Sequence, residues 1–148
     1  MLVAPAFRGQ AYEVLRLGLA YLLAMPVGWH REKEAHSVGV RTFPLVAMAS
    51  CGYVLLASSS DPASQSRVIQ GLVAGIGFIG GGAILKSEGN VHGTATAASI
   101  WTTGVLGAAV AQEHYYVAAT IAAINLFTLR VLLPWKQKMD AGSPGEQK

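Results

Sequence analysis

Five long apolar runs, joined by short polar connections, constrain the fold of this chain more than any other feature. The runs cover residues 12–29, 42–58, 67–85, 94–111 and 115–134, so each holds at least 17 residues. A hydrocarbon core of about 30 Å is crossed by about 20 helical residues, with about 17 as the lower limit. The pattern therefore predicts an all-α bundle of five transmembrane helices within residues 1–135.

The composition supports a membrane location. Hydrophobic residues make up 52% of the chain and charged residues only 13%, whereas a soluble domain carries about 25% charged residues. Too few polar side chains remain to cover a water-exposed fold, so we expect contact with a lipid bilayer. The Lys and Arg residues lie at the ends of apolar runs rather than along one stripe, so we expect no nucleic-acid partner.

The distribution of positive charge predicts the orientation. Eight of the eleven Lys and Arg residues fall in the first and third connections, at the end of the fifth run and in the tail. Cytoplasmic segments are enriched in Lys and Arg, so we expect the N-terminus outside and the C-terminus in the cytoplasm. Residues 136–148 are polar and contain Gly, Ser and Pro, which predicts a disordered cytoplasmic tail.

A glycine-rich stretch in the third run matches the G-x-G-x-x-G pattern at residues 75–80. A dinucleotide site needs a strand before the glycines and an acidic residue about 20 positions later. Here no break precedes the glycines, and the nearest downstream acid is Glu88. The pattern therefore favours close helix packing, in which glycine lets two backbones approach within the membrane.

On a helix, these glycines fall on two faces. Gly71, Gly75 and Gly82 share one face, and Gly77, Gly80 and Gly81 share the other. Two small-residue faces predict two close neighbours, which places the third helix, with the fourth, at the centre of the bundle. A broken helix at 80–82 that lines a cavity or pore is the alternative.

The fourth run carries a polar stripe of Thr96, Ser99 and Thr103, continued by Gly107. We expect this stripe to hydrogen-bond to the third helix, or else to line a pore. Asn125 lies inside the fifth run and needs a partner within the bundle, because an unsatisfied polar group is costly in lipid.

Charged side chains near the membrane are the remaining candidates for a site. Arg67 lies near one end of a run and can reach the interface. Arg31 and Glu32 fall in the predicted first cytoplasmic loop. Glu32 and Asp61 offer the carboxylate oxygens that Mg²⁺ prefers, but the predicted topology puts them on opposite sides. The metal ligands, if any, stay unassigned.

Four ordered motifs identify a family resemblance. They are Gly28-x-x-Arg31-Glu32, then Gly39-Val40-Arg41-Thr42, then Arg67 with Gln70 ahead of the glycine-rich residues 75–84, and last Gly93-x-x-Thr96 with Trp101. The chain resembles the MgtC/SapB family of bacterial inner-membrane proteins over about residues 28–107. Asp61-Pro62 and Gln70 are displaced from the spacing that the family pattern predicts.

The resemblance implies a multi-pass protein of the bacterial inner membrane, linked to magnesium limitation or acid stress. Its implied role is a regulator that contacts itself, as a homo-oligomer, or a membrane-protein partner. The alternative is a small transporter or channel for Mg²⁺ or another ion. The sequence shows no nucleophile–base pair and no metal-ligand set, so we expect no enzymatic activity and no cofactor. Mg²⁺ is the candidate ligand if the protein binds an ion.

Overall fold

The described part of the chain folds into five helices and one short β-hairpin. The computed structural model describes residues 3–35, 39–58, 61–87, 90–132 and 135. The elements are α1 (Val3–Ala35), α2 (Thr42–Ser58), α3 (Pro62–Gly82), β1 (Leu85–Ser87), β2 (Asn90–His92), α4 (Thr94–Ala111) and α5 (Tyr115–Phe127), which continues as a π-helical turn (Thr128–Leu132). The architecture is thus all-α, as predicted, except for the hairpin. The tail predicted at 136–148 lies outside the described residues.

Local capping explains where the helices begin. The backbone N–H groups of Thr42 and Phe43 donate to the Gly39 carbonyl, which starts α2. The carboxylate of Asp61 accepts hydrogen bonds from the N–H groups of Ala63 and Ser64 at the start of α3. A side-chain acceptor at this position satisfies amides that have no partner inside the helix.

Four helix boundaries differ from the prediction, and the first is the start of α1 at Val3 rather than 12. Helix α1 runs to Ala35 rather than 29, so the predicted first loop is partly helical. Helix α3 begins at Pro62, before the predicted 67, and ends at Gly82 rather than 85. The added residues 30–35 of α1 and 62–66 of α3 are mainly polar. Polar residues alone do not end a helix, and Asp61 caps α3 ahead of the apolar run.

The third connection is a hairpin instead of the predicted loop. Strands β1 and β2 pair antiparallel, with Lys86 opposite Val91. Gly93 then turns the chain into α4 with φ of 86°, and a Cβ atom there would lie 2.0 Å from the Ala83 carbonyl oxygen. Glycine is needed at this position both for the positive φ and for the close approach.

Helix α4 lies at the centre of the bundle and contacts the other four helices. The prediction that α3 shares the centre is wrong, because only Ile76 and Gly80 of α3 are buried within the chain. Helix α2 takes that place, with Ala47, Cys51 and Val54 fully buried against α4. Burial of apolar side chains stabilises a core, and glycine has no side chain to bury. The glycine-rich α3 therefore contributes less to the core than α2 does.

The outer surface of the bundle is apolar. Leu56, Phe78 and Tyr116 expose 77%, 85% and 93% of their surface. Three helical segments among the described residues are long and apolar enough to cross a membrane, namely Gly9–Lys33, Thr94–Ala111 and Tyr115–Leu132. Helix α2 is apolar but has 17 residues. These features fit a helical membrane protein.

Candidate functional site

The polar interior of the bundle is the first candidate site, and Arg31 marks one end of it. Arg31 lies in α1, only 6% exposed, rather than in the predicted loop. Its Nη2 donates a hydrogen bond to the hydroxyl of Thr96 at the start of α4. The structure thus joins the first and the last of the four sequence motifs by a buried polar contact.

The second motif packs against the first at the same end of the bundle. The Glu32 carboxylate accepts a hydrogen bond from the backbone N–H of Val40 at 3.0 Å. A Cβ atom at Gly39 would lie 2.7 Å from the Glu32 Cα, and one at Gly28 would lie 3.1 Å from the Gly39 carbonyl oxygen. Glu32 and the two glycines therefore hold the turn between α1 and α2 in place.

Asn125 and the middle of α4 form the deeper part of the polar interior. The Asn125 Nδ2 donates to the Thr102 hydroxyl at 2.8 Å and to the Ser99 carbonyl at 3.3 Å. The Thr103 hydroxyl donates to the same carbonyl at 2.7 Å. Asn125 therefore has its partners inside the bundle. Sequence reasoning missed Thr102, although it lies one helical turn after Ser99 and could be found from that spacing.

The polar stripe of α4 does not hydrogen-bond to α3 in the described residues, contrary to the prediction. Its contacts go to α1 through Thr96 and to α5 through Asn125. Helix α3 instead meets a neighbouring face of α4 by close backbone packing. A Cβ atom at Gly80 would lie 3.2 Å from the Ala97 carbonyl oxygen, so the glycine brings the two helices together.

The other glycines of α3 are not covered by the chain. A Cβ atom at any of five positions would meet no atom within 4 Å, at Gly71, Gly75, Gly77, Gly81 and Gly82. Gly80, which faces α4, is the exception along this stretch. The face of Gly71, Gly75 and Gly82 is therefore an open surface, and the face of Gly77, Gly80 and Gly81 meets α4 only through Gly80 and is otherwise open.

One of these surfaces forms the side of a groove between α2 and α3, with a volume of about 740 Å³. It is lined mainly by apolar residues of both helices, with Arg41 and Thr42 at the start of α2. Arg41 is exposed, and Thr42 is partly buried. Two motif residues of the sequence are thus brought to a second candidate site.

The remaining motif residues lie apart from both sites. Asp61 caps α3, and hydrogen bonds from the Ser64 hydroxyl and backbone hold the pKa of its carboxyl below its usual value. Arg67 donates through Nε to the Ala63 carbonyl of its own helix. Gln70 is exposed, and Trp101 is 46% exposed. No ion pair joins Asp61 to Arg67 in the described residues.

No carboxylate pair for a metal ion forms from the predicted residues. Glu32 and Asp61 flank α2 at opposite ends, and α2 is about 25 Å long at 1.5 Å per residue. Among the described residues, no group of three His, Cys, Asp or Glu side chains lies close enough to hold a metal.

An ion pair at the other end of the bundle was not predicted. Arg16 of α1 pairs with Glu113 in the turn between α4 and α5, and its Nη1 donates to the Ala111 carbonyl at 3.3 Å. Glu113 has a φ of 62°, which is unusual for a residue other than glycine. The two residues are 97 positions apart, so no local sequence pattern could reveal the pair.

Comparison with known proteins gives consistent relatives. The family model of the MgtC family matches residues 17–138. Protein SrpB of Synechococcus elongatus is 39% identical over 129 residues, which cover 77% of this chain and 71% of SrpB. Protein MgtC of Salmonella typhimurium is 34% identical over 110 residues, which cover 73% of this chain and 48% of that protein.

A further relative, Protein MgtC of Brucella abortus, is 38% identical over 120 residues, or 78% of this chain and 50% of that protein. The chain thus spans about half the length of these MgtC relatives. No solved structure matches the chain. The family model covers most of the sequence, including all four motifs read from it, and the chain therefore belongs to the MgtC family.

Proposed function

We propose that this chain is a non-enzymatic regulator in the bacterial inner membrane that acts by helix–helix contact with a membrane-protein partner or with a second copy. In this proposal five helices cross the bilayer, with the N-terminus outside, and the protein serves under magnesium limitation or acid stress. The observation that carries it is the outward face of α3, where Gly77 and Gly81 are exposed and uncovered.

The outward face has the composition of a helix-packing surface. Gln70, Ala74, Gly77 and Gly81 follow one another at spacings of four, three and four, so they share one side of α3, and all four are exposed. Small residues at such spacing let a second helix approach closely in lipid, and a glutamine can hydrogen-bond across the contact. The face is separate from the side of α3 that lines the groove.

The polar interior supports a regulator more than an ion path. Asn125 donates to Ser99 and Thr102 and so joins α5 to α4, and Thr96 accepts from Arg31 and so joins α4 to α1. Arg31 places a positive charge at one end of this interior. An arginine that lines a path for Mg²⁺ would repel the cation.

The partner contact can be tested in cells that depend on this protein for growth in low magnesium. A photoreactive amino acid at position 74 should cross-link to the partner, and Gly77→Leu should abolish both the cross-link and growth. Gly18→Leu is the matched control, because Gly18 also lies exposed in a helix with no atom near its Cβ position. If Gly77→Leu cross-links and grows like the wild type, the contact surface is wrong.

The second candidate function, an ion transporter, rests on the buried polar groups around Asn125. Purified protein in liposomes with a magnesium-sensitive dye inside separates the two functions. For a regulator we expect no flux above that of empty liposomes. Flux that Asn125→Ala abolishes would instead assign transport to this chain and overturn the regulator proposal.

A further inference from the structure

We infer that the groove between α2 and α3 binds one tail of an anionic phospholipid from the surrounding bilayer, with the lipid phosphate at Arg41. The inference rests on the membrane placement of α2 and α3 that is proposed above. It concerns a different surface from the partner contact, because Gly71 and Gly75 face the groove whereas Gly77 faces outward.

The size and lining of the groove suit a lipid tail. Its volume of about 740 Å³ lies within the range of about 300–1,000 Å³ that is typical of ligand sites. Leu45 and Tyr53 of α2 and Leu72 and Ile79 of α3 are among its apolar walls. A groove open to the membrane would be filled by hydrocarbon, because an empty one forfeits dispersion contacts along its walls.

The length of the groove favours a lipid tail over a partner helix. Along α2 it extends from Thr42 to Tyr53, which is about 16 Å at 1.5 Å per residue. Half of a hydrocarbon core of about 30 Å is about 15 Å, the depth of one leaflet. A membrane-spanning helix would need a surface about twice as long, whereas one acyl chain fills a single leaflet.

The charge of the groove selects the kind of lipid. Among the described residues that line it, Arg41 alone is charged, and it lies at the end where α2 begins. Arg41 is exposed and takes part in no ion pair within the described residues. A guanidinium group binds phosphate oxygens with paired hydrogen bonds, and the N-terminus of α2 adds favourable potential for an anion. An anionic headgroup at this end complements both.

A photoreactive lipid tests the inference directly. Purified protein would be placed in vesicles of equal parts phosphatidylcholine and phosphatidylglycerol, with a trace of phosphatidylglycerol that carries a diazirine in one acyl chain. We expect cross-links on the α2 and α3 peptides that contain Leu45, Tyr53 and Ile79. Unlabelled phosphatidylglycerol should compete about fivefold better than phosphatidylcholine, the factor expected for about 1 kcal/mol per basic residue at a membrane surface.

Two pairs of variants separate the headgroup from the tail. Arg41→Gln should remove the preference for phosphatidylglycerol, whereas Arg67→Gln, an exposed arginine outside the groove, should retain it. Gly75→Leu should fill the groove and abolish groove labelling. Gly77→Leu adds the same side chain to the same helix outside the groove, so it should label like the wild type.

Three results would overturn the inference. If Gly75→Leu leaves labelling of the groove residues unchanged, the lipid tail does not lie in the groove. If Arg41→Gln leaves the preference for phosphatidylglycerol unchanged, the headgroup does not bind at Arg41. A dimer that Gly75→Leu dissociates would assign the groove to a second copy. The partner contact is tested separately, because its loss in Gly77→Leu leaves lipid labelling intact if both proposals hold.

Discussion

At the residue scale, glycines do opposite things in neighbouring parts of this bundle. A Cβ atom at Gly107 of α4 would lie 2.1 Å from the Ala47 carbonyl oxygen of α2, so this glycine sets the distance between the two central helices. Gly52 of α2 would place its Cβ 3.6 Å from a Leu17 methyl group, which is an ordinary contact. These glycines look the same in the sequence. Only the neighbouring atoms show which glycine is required and which can be replaced by a larger residue.

We expect Gly107→Ala to lower stability by about 1–3 kcal/mol, because a methyl group against a backbone carbonyl forces α2 and α4 apart. Gly52→Ala is the control and should be neutral or slightly stabilising, since alanine is the better helix former by about 1 kcal/mol. Reversible unfolding in mixed detergent micelles measures both. Equal stability of the two variants would show that α2 and α4 do not meet at Gly107.

Arg31 shows the same limit of local reading for a charged residue. Its neighbours His30, Glu32 and Lys33 are polar, and such a cluster indicates a loop. The structure keeps it helical and buries it, because α4 presents the Thr96 hydroxyl opposite. A contact over 65 positions decides its environment, and no pattern within α1 contains that information.

At the element scale, α3 differs most from its prediction. Its glycines predict a central helix, yet the helix lies at the periphery of the chain with two open surfaces. The predicted start at 67 is also wrong, because Asp61 and Pro62 form the N-terminal cap of this helix. Ends of elements follow local chemistry, whereas their position in a bundle depends on what the other helices bury.

The cap on α3 predicts a pH dependence. Hydrogen bonds from Ser64 lower the pKa of Asp61 in the folded chain below its ordinary value of 3.8. The ionised carboxylate therefore stabilises the fold above that pH, and the contribution is lost as the pH falls through the folded-state pKa. We expect the melting temperature of the wild type to drop toward that of Asp61→Ala in this acidic range.

Asp61→Asn is the matched control, because asparagine also caps a helix but does not titrate. Its difference from Asp61→Ala should stay constant as the pH is lowered. If the difference in melting temperature between the wild type and Asp61→Ala also stays constant as the pH is lowered, the carboxylate does not cap α3.

At the scale of the whole molecule, the proposed five-span topology predicts which connections face each side of the membrane. Helices α2 and α3 are joined at Asp61, and α3 and α4 are joined by the hairpin. If α3 crosses the membrane, these two connections lie on opposite sides. In the described part of the chain three segments meet the criteria of length and apolarity; α2 misses only the length, whereas α3 is neither among them nor among the shorter apolar helices. Helix α3 therefore decides the topology.

Cysteine labelling in spheroplasts tests the topology in a Cys51→Ala background, which removes the one native thiol. Ala63→Cys, in the exposed first turn of α3, should react with a membrane-impermeant maleimide added outside. Val91→Cys, in the hairpin, should react only after permeabilisation. Equal reactivity of the two positions would place both connections on one side and exclude a membrane-spanning α3.

The helical class, the approximate position of each helix and the family follow from the sequence alone, because periodicity and ordered motifs are local properties. Three features follow from the tertiary fold and not from any local pattern: which helices are central, the burial of Arg31 against Thr96, and the open surfaces along the glycines of α3. Burial is a property of two surfaces together. A single stretch of sequence shows what a helix can pack against, but not which neighbour the rest of the chain brings to it.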